Sequence, residues 1–124
     1  MSSKGRPYKT VVVEGFEILV GRGDEENDHL TFDVAAPEDF WLHVAAGTAG
    51  SHVVVRNPDK LAALPRPVLE RAAALAAWHS KARAARRVDV HVCRVADVTK
   101  VRGAPAGEVR LRRWERVRVA PGAD

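Results

Sequence analysis

The chain has 124 residues, 46% of them apolar and 29% charged, with one cysteine and a formal net charge of +4. That size suits a single domain burying on the order of two thirds of its unfolded surface, enough for a core without disulfides or a structural metal. Cys93 has no second cysteine to bridge, which points to a reducing compartment. No apolar run approaches the ~20 residues of a membrane helix, and the first ten residues are polar and basic, so a cytoplasmic location is expected.

The charge is divided along the chain. Residues 1–62 hold 6 Lys/Arg against 10 Asp/Glu, a net of −4, whereas residues 63–124 hold 14 against 6, a net of +8. A basic half attracts phosphate backbones, although a solvated arginine-rich surface has the same count.

Residues 1–7 read as a loose arm and residues 8–121 as the domain. Thr10 to Val13 and Phe16 to Val20 are β-rich runs around Glu14-Gly15, the pattern of a hairpin with a two-residue turn. Residues 21–28 are polar and glycine-rich and are expected to form an exposed loop. Short strands are expected over 30–34, 40–44 and 52–56. From Pro65 to about Arg86 the texture becomes alanine-rich. Pro65 and Pro67 suit a first helical turn, and Val68, Ala72, Leu75, Ala76 and His79 form one stripe, so one long helix is expected across the sheet. Residues 88–95 alternate with the period of a half-buried strand. Residues 108–119 form either one cationic ribbon with Trp114 at its centre or two arms around a hairpin turn at 113–115. The sum is an α+β domain, a mostly antiparallel sheet with one long helix packed across it.

Several sites are excluded on spacing. Gly21-Arg22-Gly23 lacks the third glycine and the helix of a dinucleotide fingerprint, and no Gly-Lys-Ser/Thr is present. His91 and Cys93 share a strand face but supply two of the ligands zinc requires, so neither metal nor cofactor is expected. Asp39, Trp41 and His43 alternate along one strand. The separation of Asp39 from His43, ~13 Å, is too long for a direct acid/base pair. Such a face also suits recognition, an indole for stacking with an imidazole and a carboxylate beside it, provided that Trp41 faces outward rather than into the core.

In order, Val20-Gly21-Arg22, Asn27-Asp28, Leu30-Thr31, Asp39-Phe40-Trp41-Leu42-His43-Val44, Gly50-Ser51-His52-Val53-Val54, Trp78-His79-Ser80-Lys81-Ala82-Arg83, Val98, Lys100, Gly103, Gly107 and Val119-Ala120-Pro121 resemble the RNA-binding (NFACT-R) domain of ribosome quality control factors. The resemblance runs from Tyr8 to Pro121. It implies ribosome engagement through Asp39, Trp41 and His43, a polar loop at Arg22, Asn27 and Asp28, a turn at Ser51 and His52, and phosphate contacts at Lys81, Arg83 and Lys100. Ala49 replaces the usual proline before Gly-Ser-His, and Trp78-His79 stands where tyrosines are common. Alanine-tail elongation in the family depends on further domains and does not transfer. The expected function is an RNA-binding module for large-subunit ribosomal RNA or tRNA. The rival readings are an RNA-acting enzyme using His43, His52 and Asp39, and a module for an acidic protein partner.

Overall fold

The computed structural model describes residues 8–45 and 47–123, and the expected arm, residues 1–7, lies outside them. Tyr8–Val13 (β1) and Phe16–Gly21 (β2) pair antiparallel around Glu14 at φ 50° and Gly15 at φ 84°. Two left-handed residues make the turn whose twist matches that of the strands it joins. The later strands are Phe40–Val44 (β3), Val53–Val55 (β4), Val88–Arg94 (β5), Val98–Lys100 (β6), Val109–Leu111 (β7) and Glu115–Val119 (β8). The main sheet runs β1-β2-β4-β3-β5-β8 with every neighbouring pair antiparallel, while β6 and β7 form a separate ladder.

Two α-helices are present among the described residues, Asp24–His29 (α1) and Arg66–Trp78 (α2). The α+β class is as expected, but the one long helix is not: α2 has 13 residues and stops eight positions before Arg86. Tertiary bonds override the alanine propensity that favoured continuation. His79 leaves helical geometry at φ −89°, ψ 44°, and Ser80 Oγ donates to the Ala77 carbonyl at 2.7 Å and accepts from the Ala82 amide. The chain beyond is bonded to the 49–51 turn, through Ser51 N–H to His79 O and Lys81 N–H to Ala49 O, both at 2.9 Å.

The expected loop at 21–28 and strand at 30–34 are also corrected. Asp24, Glu25 and Glu26 occupy the first turn of α1, where the macrodipole favours acids, and α1 runs on into a π-helical turn, Leu30–Val34. Asn27, Leu30, Thr31 and Val34 form an inward stripe at helical spacing. At 112–114 the chain does break, yet the arms do not pair with each other: β7 joins β6, and β8 joins β5. Arg112 holds the changeover, its amide donating to Asp97 O at 2.8 Å and its guanidinium to Asp97 Oδ1.

Both faces of the sheet are covered. Ile18, Leu42, Val44, Val53, Val90 and Val119 pack with Val68, Ala72, Leu75 and Ala76 of α2. On the other face Leu19, Trp41, Val54 and Cys93 pack under Leu30, Val98, Val109 and Leu111.

Candidate nucleic-acid interface

Alternation along β3 sends Trp41 and His43 to the face away from α2, and His52, just before β4, joins them from the neighbouring strand. The rings of Trp41 and His43 stack with centroids 5.8 Å apart, and His52 stands edge-on to them at 5.1 and 5.6 Å. These three, with His91 opposite His43 in the β3–β5 register, line a cleft of about 410 Å³ under residues 105–109. The outward stacking platform expected at Trp41 is corrected: the indole is 2% exposed. Its face of the sheet is roofed by the π-helical turn and the β6–β7 ladder.

A single assignment of protons satisfies the side chains of Trp41, Thr31 and His52. Trp41 Nε1–H donates to Thr31 Oγ1 at 3.2 Å, the Thr31 hydroxyl donates to His52 Nδ1 at 2.8 Å, and His52 Nε2–H donates to the Gly107 carbonyl at 2.9 Å. Burial pushes the His52 pKa down to about 4, with the Gly107 carbonyl pulling weakly the other way, so the ring is neutral at pH 7. Burial also lowers His43, whose Nδ1 lies 2.6 Å from the Val44 carbonyl and Nε2 3.2 Å from that of Gly50.

Stability therefore depends on pH. Unfolded histidine titrates near 6.5, so between that value and about 4 the unfolded chain takes up a proton at position 52 that the folded chain does not. The stabilisation is complete above pH 6.5 and falls as the pH drops through that window, with the lowered His43 acting in the same direction. Urea midpoints should be lower at pH 5 than at pH 7.5, and His52→Gln should shrink the difference.

Asp39 does not join the cleft. Its carboxylate accepts from the amides of Ala36 at 2.9 Å and Asn57 at 2.7 Å and from Arg56 Nε at 2.9 Å. His43 and His52 meet as the enzyme reading requires, but the acid that would orient them is committed elsewhere. Asn27, Asp28 and Lys100 are also inward-facing clasps. Asn27 Oδ1 accepts from the His52 amide at 3.1 Å, and Gly21 is a glycine because a Cβ there would strike that oxygen. Asp28 accepts from the Gly107 amide at 3.0 Å and pairs with Lys100 Nζ at 3.0 Å, while that ammonium donates to the carbonyls of Pro105 and Glu108. Lys100, expected to contact phosphate, makes these internal bonds, which fix the roof of the cleft.

The remaining predicted residues converge elsewhere. Arg22, Ser51, Lys81 and Arg83 line a groove of about 380 Å³ between the start of α1, the 49–51 turn and the segment leaving α2. Arg22, Lys81 and Arg83 are exposed, and the Arg83 guanidinium lies 4.0 Å from the Trp78 ring centroid. Gly50 permits the close approach that shapes this groove, since a Cβ there would lie 2.8 Å from Ser80 Cβ. Asp24, Ala49 and Gly50 line both hollows, so groove and cleft adjoin.

Two residues were not singled out from sequence for the parts they take here. Thr31 links Trp41 to His52, and its signal was a hydroxyl on the inward stripe of α1 and the turn after it. Trp78 supports Arg83, and no local pattern marked it beyond the aromatic position itself. His91 and Cys93 gain no third ligand: among the described residues no group of three His, Cys, Asp or Glu is placed to hold a metal. Burial pushes the Cys93 thiol up to about 12, so it stays protonated. Among the described residues no helix is long and apolar enough to cross a membrane.

Comparison with known proteins bears on the family and the fold. The chain is 37% identical over 98% of its length to the Rqc2 homolog RqcH of Bacillus subtilis and 36% identical over 96% to that of Streptococcus suis, in each case spanning 21% of the relative. It thus covers about a fifth of the curated relatives it matches. Its fold matches the C-terminal part of the fibronectin/fibrinogen-binding protein from Streptococcus suis with a TM-score of 0.85 at 32% identity, over 98% of this chain and 47% of that one. The model of the NFACT protein RNA binding domain matches residues 6–113, and the chain belongs to that family.

Proposed function

We propose that this chain is an RNA-docking module with no catalytic chemistry of its own, engaging large-subunit ribosomal RNA or tRNA in cytoplasmic ribosome-associated quality control. The observation that carries the reading is the groove where Arg22, Lys81 and Arg83 gather around Ser51, next to a pre-ordered aromatic cleft. Cations along a groove hold phosphates, and hydroxyl and backbone groups at its floor meet sugar and base edges. In this reading Arg22, Ser51, Lys81 and Arg83 touch the RNA. Asn27, Asp28, Trp41, His43, His52 and Lys100 act through the shape they impose on the 50–52 turn and the roof above it, and Asp39 acts through the fold alone, on the 36–39 and 56–57 segments. Family membership and the kinship with Rqc2 homologs support the RNA and ribosome partners.

The test is binding of tRNA and of isolated large ribosomal subunits across a salt series. Affinity should fall steeply with salt, and Lys81→Ala with Arg83→Ala should weaken binding and flatten the slope by about 0.7–0.9 for each phosphate no longer neutralised. Binding that ignores salt, or a double variant that binds like the parent, rejects the reading. Cleavage of the tRNA abolished by His52→Ala would favour the enzyme instead.

A further inference from the structure

The cleft, the groove and the clasps leave one chemically distinctive surface without a role. Beyond β7 the chain reads Arg112-Arg113-Trp114-Glu115-Arg116-Val117-Arg118, and the indole of Trp114 is 51% exposed. Single exposed apolar side chains are ordinary on protein surfaces. Three further observations set this one apart.

The first is its support. Trp114 lies over His91, with ring centroids 5.4 Å apart, and His91 also lines the cleft that holds Trp41, His43 and His52. The second is space: a separate hollow of about 340 Å³ opens beside the indole, lined in part by Cys93, Arg94 and Arg113. The third is charge. Asp97 is shared by Arg112 at 3.1 Å and Arg113 at 4.0 Å, and Asp89 by Arg116 at 3.9 Å and Arg118 at 3.5 Å. One acid serves two guanidiniums in each group, so both groups keep a positive surplus while their side chains stay largely in water.

We propose that Trp114, with Arg113 and Arg116 beside it, is a second RNA contact, at which an unpaired base stacks on the indole and the guanidiniums hold the flanking phosphates. An aromatic platform beside cations takes single strands, because bases in a duplex have no open faces to stack. The position lies just past the stretch matched by the family model, which ends at residue 113. The contact is separate from the groove at Arg22, Lys81 and Arg83, and His91, which touches the indole and lines the cleft, sets it beside the cleft.

The inference rests on the RNA-binding reading, and one experiment separates the two. A labelled single-stranded RNA of about a dozen uridines, and a hairpin duplex of equal charge, are titrated against the parent, Trp114→Ala, Trp114→Tyr, the pair Arg113→Ala/Arg116→Ala and Lys81→Ala. Trp114→Ala should weaken single-strand binding about tenfold or more, Trp114→Tyr should restore most of it, and duplex binding should change little. The arginine pair should lower affinity and the salt slope together. The exposed indole leaves the fold intact, so an unchanged urea midpoint in Trp114→Ala accompanies the expected result. Single-strand affinity unchanged in Trp114→Ala but abolished in Lys81→Ala overturns this inference and leaves the RNA-binding reading standing. No RNA binding by the parent overturns both. Competition by polyglutamate as effective as by the single strand would assign the patch to an acidic polypeptide and overturn the inference.

Discussion

Trp41→Ala is expected to lower the free energy of unfolding by about 3–5 kcal/mol, the range for truncating a large buried aromatic. The indole is sealed among Leu19, Leu30, Val54, Cys93 and Val98, and its removal leaves a void that the strands on either side cannot close. It also takes away the N–H that donates to Thr31. Trp41→Phe separates the two contributions: most of the packing is kept and the hydrogen bond is removed, at about 1–3 kcal/mol. Domains of this size hold roughly 5–15 kcal/mol in all, so the alanine variant should show a large drop in urea midpoint by circular dichroism. A cost under about 1 kcal/mol would contradict the burial. Loss of RNA binding in Trp41→Ala then reports on the folded cluster rather than on a base stacked at position 41.

Asp39→Ala should cost a similar amount, about 3–5 kcal/mol, for a different reason. Its buried carboxylate accepts from two amides and a guanidinium, and alanine leaves all three donors facing a gap. Asp39→Asn retains an acceptor oxygen and loses the charge, so its cost should fall between the parent and the alanine variant. Once corrected for the folded fraction, RNA affinity should be unchanged in both, because the carboxylate is tied to the 36–39 and 56–57 segments and not to the groove. Full stability together with abolished RNA binding in Asp39→Asn would place the residue at the RNA after all.

Strands β1 to β5 were legible because period-two patterns and a Glu-Gly turn need only local information. The same pattern shows that Trp41 and His43 share a face but not what lies over it. The cover on that face comes from 30–34, 98–100 and 109–111, segments far from β3 in sequence. The length of α2 was misread for a related reason: the alanine run has helical propensity well past Trp78, and the bonds from His79 and Lys81 to the 49–51 turn are what end it. The helix at 24–29 was missed because its inward stripe begins with Asn27, a polar residue that apolar periodicity does not count. At the candidate site, residue types were readable and roles were not. A lysine in sequence does not disclose whether it points at solvent, as Lys81 does, or at three oxygens of its own chain, as Lys100 does.

The clasp that roofs the cleft joins positions very far apart along the chain. Asp28 reaches Gly107 across 79 residues, and His52 reaches the same glycine across 55. During synthesis the first hairpin and α1 are made well before the Gly107 oxygen that accepts the hydrogen bond from His52 Nε2–H. Until residue 107 has been made, His52 Nε2–H lacks the carbonyl that accepts from it in the fold and donates to water instead. The aromatic cleft therefore closes only after β1 to β5 have been made, and a nascent chain halted before residue 107 carries the side chains of the cleft without its geometry.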